Sequence, residues 1–362
     1  MHSPFCVDIR PDCSGLLKCL KRDGAPQRVH FFELLIDAEV YDAICEQYGV
    51  DDRLDKSDSM YCYAKYSTVR RFLGYDFATY CIEGLDFPLN HRAAEDTAPL
   101  KRESGRVFVD EHRGPITNWE EFDRYPWPDV ARCSRKGLDW YSEHLPEGMC
   151  LAGWGAFGNV CEMLSWLMGY ETLCVALCEQ RDLVAAIACR LSEIALQVVD
   201  LLLTYDRVRF IMVSDDMGFR NGPLVRPDDL REFVLPTHKS VARKAHAAGR
   251  PYVLHSCGDI SCILEDLLDD VRIDAKHAFE DTIEYVNDAK WAYGHRAALL
   301  GGIDVDFLCR AGEKAVRERV RDTLDECMPG GGYCLGTGNS VANYIPLGNY
   351  LAMLDEGRRY VV

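Results

Sequence analysis

Tyr252-Val-Leu-His255-Ser-Cys257-Gly258 puts a short apolar, β-prone run directly in front of an imidazole and a thiol two residues apart. A run of this length bounded by glycine reads as a buried strand. Seven comparable runs occur elsewhere: Phe31 to Ile36, Phe77 to Cys81, Cys150 to Trp154, Phe210 to Ser214, Ile273 to Lys276, Ala297 to Leu300 and Gly332 to Leu335. Stretches of helical spacing lie between them, at Ala38 to Tyr48, Glu171 to Tyr205, Pro227 to Ala248, Ile260 to Leu268, Ile283 to Ala292 and Ala315 to Met328. Pro227-Asp228-Asp229 is a helix start and Gly249 a helix stop. Eight strands alternating with helices predict an α/β chain closed into a single (β/α)8 TIM barrel.

The expected organisation is an N-terminal helical extension over 1–26 and a barrel over 27–362. Residues 84 to 133 break the repeat and read as an insertion over one barrel mouth. Within it Arg106 to Gly114 reads as a small hairpin, and Trp119 to Val130 as a connector.

The length of 362 residues suits one large barrel. A formal charge of −17 argues against nucleic acid and anionic membrane surfaces, and disfavours a highly carboxylated substrate. No apolar run is long enough to cross a bilayer, and Met1 to Cys13 lacks the pattern of an export signal. Seventeen scattered cysteines fit reduced thiols, so the expected location is the cytoplasm. The phosphate-binding lysine-serine loop, the dinucleotide-binding glycine fingerprint and the Gly-x-Ser-x-Gly elbow are all missing.

Barrels of this kind carry their chemistry at the C-terminal ends of the strands. There the sequence places Glu33 and Asp37, Asp215 and Asp216, His255 and Cys257, His277 with Glu280 and Asp281, Asp304, and Asn339. His255 and Cys257 suit a divalent ion of the zinc type, which takes nitrogen and thiolate ligands; the alternative is a buried cysteine near a hydrogen-bonded histidine. The third ligand is left open among Glu33, His277, Glu280, Cys262 and Cys334, with Glu280 taken as the working choice. Asp215 and Asp216 adjoin, so one can keep its proton and serve as an acid, and His277 is a further catalytic candidate. Glu33, Asp304 and Asn339 are read as substrate-binding.

Pro26-Gln-Arg-Val-His-Phe-Phe-Glu-Leu34, Ser214-Asp-Asp-Met-Gly218, the block Gly249 to Asp259 and Gly301-Gly-Ile-Asp304 resemble the uroporphyrinogen decarboxylase superfamily. That superfamily holds decarboxylases of haem synthesis and corrinoid-dependent methyltransferases. Its decarboxylases present an Arg-Gln-Ala-Gly-Arg segment after the first strand; this chain has the acidic Phe32-Glu-Leu-Leu-Ile-Asp37. Its zinc methyltransferases carry His-x-Cys where this chain has His255 and Cys257. Those acting on coenzyme M add a late cysteine where Gly336-Thr-Gly-Asn339 stands here. The resemblance implies a zinc-dependent methyltransferase that moves a methyl group from a small methyl ether or methylamine to a corrinoid on a separate protein. It also implies a possible homodimer. The alternatives are a carboxy-lyase acting on a carboxylated tetrapyrrole, and a non-catalytic binder of tetrapyrrole or corrinoid. A cobalamin motif within the chain is not expected, since the near match Asp110-Glu-His112-Arg-Gly114 has the wrong spacing.

Overall fold

The computed structural model describes residues 3–155 and 157–362. The first two residues of the expected N-terminal extension therefore lie outside the described residues. Seven strands form one sheet in chain order: β1 Phe77–Tyr80, β2 Cys150–Gly153, β3 Val208–Ser214, β4 Tyr252–His255, β5 Ala275–His277, β6 Ala298–Leu300 and β7 Tyr333–Cys334. Every neighbouring pair is parallel. Side chains on β2 and β4 are buried on both faces, which is why these strands read as continuous apolar runs. The register aligns Ser214 with His255 and His255 with His277, setting three polar strand ends side by side.

The first expected strand, Phe31 to Ile36, is reduced to two parallel bridges, Phe31 to Leu335 and Ile36 to Val341. The Phe32 and Val341 amides donate to Leu335 and Leu35 carbonyls, both at 2.9 Å, so this segment lies along the far edge of β7. Its other side faces β1 through side chains. His30 Nδ1 lies 2.7 Å from Asp76 Oδ2, the Arg28 guanidinium bonds the same carboxylate, and the Phe32 and Phe77 rings pack with centroids 5.2 Å apart. Arg70, fully buried, stacks over Tyr75 and Phe77 in the same seam.

Several helices depart from the expected boundaries. Glu171 to Tyr205 divides into Tyr170–Glu179 and Arg181–Leu203 because Gln180 leaves helical geometry. Pro227 to Ala248 contains a π-helical turn at Leu230–Val234, just before Pro236, which has no N–H to continue the ladder. Ile260 to Leu268 becomes a 3-10 turn and a π-turn, Ser261–Ile263 and Asp266–Val271. Helices at Tyr61–Leu73, Lys136–His144, Val160–Met168 and Leu347–Arg359 were not anticipated. Cys13–Leu20 is helical and buries Leu16, Cys19 and Leu20. No single helix among the described residues is long and apolar enough to cross a membrane; the one pair that is apolar enough together, Val160–Met168 and Tyr170–Glu179, is bent by 98°.

A hairpin does form, but its strands are His91–Ala94 and Arg106–Val109, so the expected Arg106 to Gly114 supplies only one of them. Asp96 fixes it to the loop after β7. Its carboxylate accepts from the Ala98 and Arg102 amides, from Arg106 Nε at 3.0 Å and from Asn343 Nδ2 at 2.8 Å.

Glu33 ties the bridged segment to the same loop. Its Oε1 accepts from the Thr337 amide at 2.8 Å and Oε2 bonds the Thr337 hydroxyl at 2.5 Å. Burial pushes its carboxyl up to about 8, against the pull of the Thr337 hydrogen bonds and of Arg70. The folded chain therefore keeps a proton that the unfolded chain releases near the ordinary glutamate value. Stability from this group falls as pH rises from there to about 8, and levels off above it. Glu33→Gln reproduces the acceptor and donor of the protonated acid. Thermal melts of the two proteins should nearly coincide at about pH 5 and diverge in favour of the variant towards pH 8, by on the order of 1 kcal/mol per pH unit at most. Parallel curves across that range would refute a protonated Glu33.

Candidate metal centre and its cavity

His255 ends β4, and two residues of extended chain bring Cys257 back towards the same point. Cys257 Sγ lies 3.3 Å from His255 Nε2. Asp216, just beyond β3, turns towards them: its Oδ1 is 3.5 Å from His255 Nε2 and accepts the Cys257 amide at 2.8 Å. One donor atom from each of the three lies within 4.8 Å of the others. Burial raises the Asp216 carboxyl, but hydrogen bonding and charge from His255 and the Cys257 amide outweigh it, and the net shift is downward. The Cys257 thiol is driven up by burial and then by the Asp216 charge. A carboxylate, an imidazole nitrogen and a sulfur facing one another, the carboxylate and the sulfur disfavouring each other's negative charge, form a donor set that a divalent cation of the zinc type satisfies.

The imidazole is held in one tautomer. His277 is fully buried, and burial together with the nearby His255 and Lys276 depresses its basicity far below the usual range, so the ring is neutral. Its Nε2 lies 3.4 Å from the Thr337 carbonyl, which can only accept. Nε2 therefore carries the hydrogen and Nδ1 is an acceptor. His255 Nδ1, 2.7 Å away, must then be the donor; in the neutral ring that a metal ligand has to be, this places the lone pair on Nε2, facing Cys257 and Asp216. Gly301 makes room for this arrangement: at φ +85° a Cβ there would sit 2.1 Å from the Thr337 carbonyl oxygen and 2.9 Å from His277 Nε2.

The sequence-based site is redistributed by these contacts. Asp216, expected as an acid, joins the ligand group, and Glu280, the working third ligand, stays outside it. Asp215 points the other way. It accepts the Cys161 and Glu162 amides at 3.1 and 3.0 Å, capping the helix Val160–Met168, and lies 2.9 Å from His238 Nε2. His277 stands behind His255, buried. Glu33 is buried against Thr337 and has no exposed surface to offer a substrate. Cys334 faces Cys19 at 3.5 Å, and Cys262 is exposed. One residue was missed: Glu162, in the first helical turn after β2. Burial and then the charges of Asp216 and Asp215 push its carboxyl up to about 9, so it is a protonated acid beside the group at neutral pH.

A cavity of about 610 Å³ opens next to the group, with Phe279, Glu280, Asp304, Phe307, Asn339 and Tyr344 in its wall. Asn339 belongs to both, since its Nδ2 donates to Cys257 Sγ at 3.1 Å. Asp304 lines the cavity, but its oxygens are taken by the Phe307 and Asp281 amides at 2.9 and 3.0 Å. The volume is that of a small-molecule site.

The chain is similar over 136 residues, at 30% identity, to a methylated-thiol--coenzyme M methyltransferase of Methanosarcina mazei. That match takes in 36% of this chain and 33% of the relative, so the chain matches about a third of that relative's length. In fold it resembles a methyltransferase from Methanosarcina mazei with a TM-score of 0.67 at 17% identity, over 95% of this chain and 97% of the other. The profile of the family described as Uroporphyrinogen decarboxylase (URO-D) matches residues 117–360, which hold the Asp216, His255 and Cys257 group and all but the first strand of the sheet, and the chain belongs to that family.

Proposed function

We propose that the protein is a cytoplasmic, metal-dependent methyltransferase that moves a methyl group from a small methylated ether or amine to a corrinoid carried by a separate protein. The observation that carries this reading is the Asp216, His255 and Cys257 group beside a cavity of about 610 Å³. In fold terms the reading takes 27–362 as one barrel domain of eight βα units, with Phe31 to Ile36 as the closing unit and 84–133 as an insertion over its mouth.

Asp216, His255 and Cys257 would hold the ion. A divalent ion of the zinc type, when bound, supplies a Lewis acid towards the oxygen or nitrogen from which the methyl departs. His277 keeps His255 Nε2 free of hydrogen, and the Asn339 amide donates to the sulfur, tempering its charge. Asp216 is held ionised and serves as a ligand; the proton near it resides on Glu162. The acidic cavity wall weighs against a tetrapyrrole bearing several carboxylates. The fold neighbour and the partial relative, both methyltransferases by name, support the reaction class.

The test is methyl transfer from methylated ethers and amines to a reduced corrinoid, followed by the corrinoid's absorbance; no transfer from any donor would overturn the reading. Metal analysis of protein purified without chelator should give about one zinc-type ion per chain. Cys257→Ala and Asp216→Ala should lose it while Glu280→Ala keeps it, and retention in Asp216→Ala with loss in Glu280→Ala would reverse the ligand assignment. His277→Phe preserves packing against Phe32 but removes the tautomer lock. Metal affinity of this variant, titrated against a competing chelator, should fall by about 10- to 100-fold with circular dichroism unchanged. Unaltered affinity would show that His277 does not position His255.

A further inference from the structure

We propose that Cys19 and Cys334 are a redox modification site, a thiol pair that hydrogen peroxide converts into a disulfide stapling the helix Cys13–Leu20 to β7. The inference is independent of the methyl-transfer reading.

The two sulfurs face each other at 3.5 Å although the residues are 315 positions apart in the chain, and both side chains are buried. Cys19 stands on the inward face of its helix with Leu16 and Leu20, and its thiol donates to the Tyr333 carbonyl at 3.1 Å. That bond directs the Cys19 hydrogen to oxygen, so the hydrogen between the sulfurs comes from Cys334. A disulfide holds its sulfurs about 2.0 Å apart, so the existing gap has to close by only about 1.5 Å. The same helix carries a second, more accessible pair. Cys13 lies beside Cys150, whose thiol is kept protonated by burial and then by Cys13, and both line a separate cavity of about 330 Å³.

The place of the pair gives the bond its effect. Cys334 adjoins Leu335, whose amide donates to the His30 carbonyl and whose carbonyl accepts the Phe32 amide, both at 2.9 Å. Through these bonds the segment Phe31 to Ile36 holds to β7, while its other side meets β1 by side chains alone. The chain runs from Cys19 directly into that segment, and on the way its backbone touches the turn before β7: a Cβ on Gly331 would meet the Gly24 carbonyl oxygen at 2.2 Å. A Cys19–Cys334 bond therefore reinforces covalently the part of the wall where the sheet is only bridged. Burial restricts access to a water-sized oxidant, and hydrogen peroxide is one. One thiol, deprotonated, attacks a peroxide oxygen; the O–O bond breaks and the leaving hydroxide is protonated to water. The partner sulfur then displaces the oxygen of the sulfenic acid as a second water and forms the S–S bond. Two thiols are oxidised and one peroxide is reduced.

The experiment treats the reduced full-length protein with hydrogen peroxide, alkylates the remaining thiols in denaturant, and maps the unreduced digest by mass spectrometry. Cleavage after Lys18 and Tyr333 separates the two residues from Cys13 and Cys327. The map should contain a Cys19 peptide joined to a Cys334 peptide, and dithiothreitol should release it. Because the bond closes a very long loop, the melting temperature should rise by about 5 °C on oxidation and return on reduction. Cys19→Ala should lose both the joined peptide and the rise, and Cys13→Ala should keep both. Cys19 and Cys334 still open to alkylation in the unaltered protein, whatever has happened at Cys13, Cys150 or the exposed Cys62 and Cys174, overturns the proposal even where a variant fails to fold. A joined peptide with no rise in melting temperature overturns it as well, since the bond would then staple nothing.

Discussion

The hydrogen-bonded line from Glu33 through Thr337 and His277 to His255 is the constraint on which the site depends. It joins three parts of the chain that are far apart in sequence: the segment beside β7, the loop after β7, and the ends of β4 and β5. Parallel register supplies the central step, because His255 and His277 are direct partners across β4 and β5. Burial supplies the rest. An unpaired polar group in this interior would cost a few kcal/mol, so the line is held together by the lack of any other partner. Its polarity runs one way, from the Thr337 carbonyl that can only accept to the one nitrogen of His255 left without hydrogen.

That constraint explains the distribution of protons around the centre. Glu33 and Glu162 are acids kept protonated by burial. Asp216 accepts the Cys257 amide at 2.8 Å, and its carboxyl is shifted downward despite burial. Neighbouring carboxyl groups have been driven in opposite directions by their surroundings, which is how a site keeps a ligand and a proton reservoir a few ångströms apart at one pH.

Much of the fold was legible in the sequence because the strands are buried on both faces, and Tyr252 to His255 has the bounds that its apolar run gives it. Phe31 to Ile36 has the same composition, yet pairs only at two bridges, since its outer side meets β1 through His30, Phe32 and Arg70 instead of backbone. No local pattern reports that. The hairpin strand His91–Ala94 is wholly exposed and carries no periodicity to read. In the site, His255 and Cys257 were legible from their place after a strand. Asp216 and Asp215 could not be told apart, because their roles depend on which way each side chain turns and on a helix start at Val160 that the sequence did not announce. Glu162 was missed for the same reason: it comes from a helix turn, whereas the search was confined to strand ends. The signal available was an acid in the first turn after Gly158-Asn159, with two aspartates expected nearby.

Asn339 marks where the chain departs from the pattern it resembles, and the departure is balanced. A late thiolate in the coenzyme M enzymes would give a site two sulfurs and one nitrogen, with two negative charges facing a divalent ion. Here the second charge would come from the Asp216 oxygen, just beyond the neighbouring strand, and Asn339 contributes an N–H to the Cys257 sulfur. The charge sum is the same while the ligand set is harder and the sulfur less basic. A centre built to activate a thiol benefits from thiolate-rich ligands that push charge onto the bound sulfur. With the proposed ion bound, a carboxylate ligand and an N–H donated to the one thiolate would withdraw charge from whatever the centre faces, as acceptance of the electron pair of a departing nitrogen or oxygen requires.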